Sequence, residues 1–175
     1  MMAANTVNGS GDGTAPLKTD RLPITIKGKQ KLEDELKRLI HTERQAVIRA
    51  IEEARAHGDI SENAEYDAAK ERQSMIEGRI GEIQGHLAGA EVIDPSTLKS
   101  DRVIFGAHVD LVDTESEEKF TYQIVGVDEA DVKEGRISIL SPIARSLIAK
   151  RVGDVVTVRS PKADKEFEIT NLYFK

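Results

Sequence analysis

Between Pro23 and Pro95 the chain carries no proline, and its apolar pattern breaks once, at Gly58. On the first side of that break, Leu32, Leu36, Leu39, Val47, Ala50, Ile51 and Ala54 recur at mostly three- and four-residue steps, with charges on the remaining faces. On the second side, Ala64, Ala68, Met75 or Ile76, Ile80, Ile83, Leu87 and Ala90 repeat the pattern. Each run predicts a helix with one narrow apolar seam. Two such runs of about 30 residues, joined by a few residues, predict an antiparallel coiled-coil hairpin whose arms are roughly 45 Å long. Thr25, with Ile24 before it, is the expected N-cap of the first helix.

Such a hairpin has no thick core, and of the seven aromatic residues it holds only Tyr66. It is therefore expected to project from a second body. That body follows Pro95 and the linker 95-PSTLKSDR-102, where the apolar period changes from helical to two. VIFGAHVDLVD, KFTYQIVGV, RISILS, DVVTVRS and KEFEITNLYF all read as strands, and 143-IARSLIAK-150 reads as a short helix started by Pro142. The fold class is α+β in two domains: a helical hairpin over residues 22–94, then an antiparallel sheet with one packed helix over 103–175. Residues 1–21, small and rich in glycine, read as a flexible extension.

The net charge is −6 and neither half is basic, so the chain lacks the footprint of an independent nucleic-acid binder. It has no cysteine, which excludes disulfides, thiolate catalysis and Cys-based zinc sites. No run is long and apolar enough to span a membrane, and the N-terminus reads as neither signal peptide nor anchor, so a cytoplasmic location is expected. His41, His57, His86 and His108 are dispersed, without metal-ligand spacing.

The joint between the helices, 57-HGDISENAEY-66, sets Asp59 and Glu62 three residues apart at the far end of the hairpin. One reading is architectural: Gly58 closes the first helix, while Asp59 and Glu62 form a capping box for the second. The other is chemical. Mg²⁺ takes oxygen ligands, often one or two carboxylates completed by water and phosphate. Two exposed carboxylates are too few to hold the ion alone, but they suffice to complete a site inside a partner's channel.

In 53-EARAHGDISENAEYDAAKERQ-73, 78-GRIGEI-83, 103-VIFGA-107, 124-IVGVDEAD-131 and 136-RISILSPIARSLIAK-150, the sequence resembles the bacterial Gre transcript-cleavage factors, most closely the GreA type. The resemblance covers both domains, from about Ile24 onward. It implies a coiled-coil finger, a C-terminal domain of FK506-binding-protein-like fold, and docking at the rim of the secondary channel of RNA polymerase. It implies that Asp59 and Glu62 help hold a Mg²⁺ ion of the polymerase active site, so that polymerase cleaves backtracked RNA near its 3′ end. By the same resemblance, Asp128, Glu129, Asp131, Ser141, Pro142 and Ile143 meet the polymerase, and Lys70, Arg72 and Arg79 face the RNA. No stably bound cofactor, no active site of its own and a monomeric free state are the corresponding expectations. A Gre-like channel-blocking inhibitor is the alternative, disfavoured by the intact D-x-x-E pattern. A prolyl isomerase lacks support because no aromatic-lined apolar pocket is evident. A plain coiled-coil adaptor would make the tip acids caps and nothing more.

Overall fold

A computed structural model of the chain describes residues 21–58 and 63–175. The expectation for residues 1–21 lies almost wholly outside them, as do Asp59, Ile60, Ser61 and Glu62. The chain enters through β1 (Leu22–Thr25) and turns into α1 (Ile26–Arg38), a π-helical stretch (Leu39–Glu43) and α2 (Arg44–Ala56). The return arm is α3 (Ala64–Gly89), followed by β2 (Ala90–Ile93). Thr25 caps α1 as expected, its hydroxyl oxygen accepting from the Gly28 N–H at 3.0 Å.

The π stretch has a sequence cause. Leu39 and Val47 are eight positions apart, nearly one residue more than two α-turns of about 3.6 residues each. An i→i+5 turn absorbs the surplus. Leu39 and Val47 thus both reach the hairpin core, which they share with Leu32, Ile51, Ala69, Ile76, Ile80 and Ile83. The seam differs from expectation at its alanines. Ala50, Ala64 and Ala68 are exposed, Ala69 is buried, and Ile76 takes the core position while Met75 stays 70% exposed. Alanine gains little from burial and loses little by exposure, so it marks a face weakly.

Two ion-pair clamps brace the arms. Arg79 on α3 donates through Nε and an Nη to the two Glu35 carboxylate oxygens on α1, at 2.8 and 3.1 Å, and also bonds Glu82 at 2.9 Å. Arg44 on α2 grips both oxygens of Glu77 on α3, at 2.6 Å each. At the base, β1 and β2 pair in parallel, Leu22 opposite Ala90 and Thr25 opposite Ile93. Strands of four residues carry no period of their own: β1 was expected only to lead into the first helix, and β2 to lie within the second.

The second body is a five-stranded sheet in the order β5-β4-β3-β7-β6. Its strands are β3 (His108–Asp113), β4 (Lys119–Val125), β5 (Arg136–Ser138), β6 (Val155–Val158) and β7 (Lys165–Tyr173). The sheet is mixed, not wholly antiparallel: β5 runs parallel to β4 because residues 126–135 cross back before it. Two short 3₁₀ turns, Val127–Glu129 and Val132–Glu134, make that crossing. Residues 103–107 precede the sheet; Val103 instead pairs through its backbone with Ala149 and Lys150 beyond α4 (Pro142–Leu147). Alternate residues of β3 and β7 fill the core with Val109, Leu111, Phe167 and Ile169, and Ala144 and Leu147 of α4 cover it. The hairpin core and this core have no residue in common.

Candidate functional site

The tip is framed by residues on both of its sides. The first arm ends at Ala56, with His57 as its C-cap, and Gly58 follows at φ +115°. The second arm starts at Asn63, whose side-chain oxygen accepts from the Glu65 and Tyr66 N–H groups at 3.1 and 3.2 Å. The N-cap of α3 is thus Asn63, a role the sequence reading gave to Asp59 and Glu62. Asn63 also donates through Nδ2 to the Ala54 carbonyl at 2.6 Å, tying the end of one arm to the start of the other. The Arg55 guanidinium lies 5.8 Å from the centre of the Tyr66 ring, and His57 Nδ1 lies 3.5 Å from Glu65. Asp59 and Glu62 themselves fall outside the described residues. Among the described residues, no group of three or more His, Asp and Glu could hold a metal ion.

The three basic side chains expected to face RNA separate in two groups. Arg79 is spent on its clamp to Glu35 and Glu82, which holds the guanidinium pKa above its ordinary value, chiefly through the hydrogen bond to Glu35. The same bond lowers the Glu35 pKa. Lys70 and Arg72 are exposed on the tip-proximal half of α3, with Lys70 donating to Gln73 at 2.9 Å.

The six expected partner-binding residues lie on the crossing segment and at the start of α4, and they too divide. Ser141 caps α4, accepting from the Ala144 N–H at 3.3 Å, and Pro142 is exposed at its first turn. Ile143 is half-buried against the sheet core. The Asp131 carboxylate accepts from the Lys133 N–H at 3.1 Å and keeps 43% of its side-chain surface. Val132 next to it is 69% exposed, and Leu140, just ahead of Ser141, is 49% exposed.

Asp128 and Glu129 point elsewhere, toward the hairpin. Asp128 lies 2.9 Å from His86 Nδ1, in the last turn of α3. The Glu129 carboxylate accepts from the Thr25 N–H at 3.0 Å, from the Thr25 hydroxyl, and from the Gly126 N–H at 3.0 Å. Its own backbone carbonyl is held by Arg136 Nε at 3.1 Å. Sequence reasoning missed this contact and its partners Thr25, Gly28 and His86. The only signal was the pair of glycines, Gly28 near a helix start and Gly126 ahead of an acidic loop.

Comparisons with known proteins agree across both bodies. Residues 22–92 match the family described as transcription elongation factor, N-terminal, and residues 98–174 match transcription elongation factor, GreA/GreB, C-term. Transcription elongation factor GreA of Acidiphilium cryptum is 58% identical over 154 residues, covering 88% of this chain and 98% of the relative. The GreA of Ralstonia nicotianae is 59% identical over 149 residues, covering 85% and 94%. Among solved structures, GreA factor homolog 1 (Gfh1) of Thermus thermophilus aligns over 87% of this chain and 99% of its own, at 27% identity and a TM-score of 0.41.

Proposed function

Because this chain belongs to the GreA/GreB family of transcription elongation factors, we propose that it binds bacterial RNA polymerase and stimulates the polymerase's own cleavage of backtracked RNA. In this reading the hairpin enters the secondary channel and carries Asp59 and Glu62 to the active site. The sheet domain stays at the channel rim and docks through Asp131, Val132, Leu140, Ser141, Pro142 and Ile143. Lys70 and Arg72 run alongside the displaced RNA 3′ end.

The observation that carries the assignment of the tip acids is the identity of the cap. Asn63 accepts from the first free N–H groups of α3, which supports a role for Asp59 and Glu62 other than that cap. What remains is their donor chemistry. A divalent ion in a phosphoryl-transfer site positions an attacking water and stabilises charge on the phosphate oxygens. Two carboxylates on a narrow arm fit a shared shell and not a self-sufficient one, so the ion is the polymerase's and this chain has no active site of its own. Asp59 and Glu62 complete the shell and accept a hydrogen bond from the water, while the arm places them there. The 26 residues of α3 rise about 39 Å, enough to span a deep channel. A free monomer in the cytoplasm fits this account.

The test uses a backtracked elongation complex with labelled RNA and Mg²⁺. Wild-type protein should shorten the RNA only with polymerase present. Asp59→Asn/Glu62→Gln should lose at least about a hundredfold in rate, the order reported for removal of a preorganised charge-stabilising group, and should still compete with wild type for the polymerase. Binding by wild type that blocks both cleavage and nucleotide addition would establish the inhibitor reading instead.

A further inference from the structure

The contact between the acidic loop and the hairpin base is built as a socket. Glu129 reaches across from the sheet domain, and its carboxylate takes both the backbone N–H and the hydroxyl of Thr25. Thr25 is itself 4% exposed and is the N-cap of α1, so the acid is bonded to the residue at which the first arm begins. The site is cut to admit the acid. A Cβ on Gly28 would fall within the space of the Glu129 side chain, and a Cβ on Gly126 would lie 2.6 Å from the Pro23 carbonyl oxygen. Arg136 holds the loop from behind through the Glu129 carbonyl. Asp128 next to it engages His86 on the other arm. One loop of the sheet domain therefore grips both arms of the hairpin at their bases.

We infer that Glu129, seated on Thr25 and Gly28, is a positioning residue that sets the direction in which the hairpin leaves the sheet domain, and that it is not a polymerase-docking acid. The inference rests on the reading of the hairpin as a finger that delivers tip acids. It removes Glu129 and Asp128 from the docking surface and leaves that role to Asp131 and the start of α4. A carboxylate bonded by a hydroxyl and two N–H groups is not available to a partner without breaking those bonds.

Two variants approach the socket from opposite domains. Glu129→Gln keeps the shape of the side chain but loses the charge that strengthens its bonds. Gly28→Ala sits on the hairpin, away from the docking surface, and would ordinarily stabilise a helix by about 1 kcal/mol; here it obstructs the acid. Because the chain has no cysteine, Ser74→Cys/Ser160→Cys places one spin label on α3 and one on the sheet domain. Wild type should give a single narrow distance distribution, and both variants should shift or broaden it. In the cleavage assay, both should lower the rate at saturating factor by about tenfold or more, the order expected when a reacting group is misplaced by less than 1 Å. Their half-saturating concentrations should stay within about twofold of wild type, because docking and chemistry are separate interactions.

A raised half-saturating concentration in Glu129→Gln, with the full rate restored at saturation, would make Glu129 a docking acid and overturn the inference. Unchanged label distances in both variants would overturn it as well. If Gly28→Ala fails to fold by circular dichroism, Glu129→Gln decides alone. The distance measurement needs no polymerase, so a wild type that does not stimulate cleavage would sink the functional reading and leave the socket standing or falling on its own result.

Discussion

Asn63 uses both ends of its amide: the oxygen caps α3 and the nitrogen reaches the Ala54 carbonyl of the opposite arm. Asn63→Ala removes a cap worth about 1 kcal/mol and unties the two arms beside the tip acids. The expected result is a slower cleavage rate at saturation with unchanged affinity for polymerase, checked in the same backtracked complex. A variant equal to wild type in rate would show that the tie does not position the acids. Position 63 was hard to read in the sequence because Asp59, Ser61, Glu62 and Asn63 are all residue types that favour helix starts. Choosing among them needs the backbone, which places the first helical residue at Ala64.

At the scale of elements, the seam of large aliphatic residues was legible and the alanines were not. Leu32, Leu39, Val47, Ile51, Ile80 and Ile83 lie where their spacing puts them. Ala50, Ala64 and Ala68 do not, since a methyl group contributes too little apolar area to dictate a face. The partner of Arg79 was hidden for a related reason: a charge on a helix surface looks the same in sequence whether water or a partner arm receives it. Its partner Glu35 is 44 positions away, across the turn of the hairpin. The clamp makes a pH prediction. The hydrogen bond from Arg79 lowers the Glu35 pKa from its ordinary 4.5, against the opposing effect of burial. A depressed carboxylate is protonated first in the unfolded chain, so its contribution is present above about 4.5 and is lost as pH falls through the folded value. Glu35→Gln should cost the hairpin roughly 1 kcal/mol at neutral pH, and the cost should vanish in acid. Helical circular dichroism during urea unfolding, repeated across that range, measures it; a cost independent of pH would show that the clamp is not ionic.

For the whole molecule, the long helices lie before Pro95, where the apolar period is helical, and the five-stranded sheet lies after it, where the period is two. The junction between them was not legible. Glu129 and Thr25 are 104 positions apart, and no periodicity links residues brought together by tertiary contact alone. The division itself has a thermodynamic consequence, because the two apolar cores have no common residue while Glu129 and Thr25 join the two bodies by polar bonds. Two unfolding transitions are expected in calorimetry. Ile83→Ala and Ile169→Ala should each cost about 2–5 kcal/mol, one lowering only the hairpin transition and the other only the sheet transition. A single transition moved by both substitutions would mean that the junction couples the domains into one cooperative unit.

The parallel pairing of Leu22–Thr25 with Ala90–Ile93 closes the hairpin at its root, a long way from the turn between its arms. Seen as a lever, the arm multiplies every angular error made at that root. Over about 39 Å of helix, a tilt of roughly 5° carries the far end about 3 Å sideways, several times the sub-ångström tolerance of a reacting centre. Four residue pairs of backbone bonding and one seated carboxylate thus set the aiming tolerance of the whole arm. Selection for accuracy at the tip would then be felt most sharply in the short segments that anchor its opposite end.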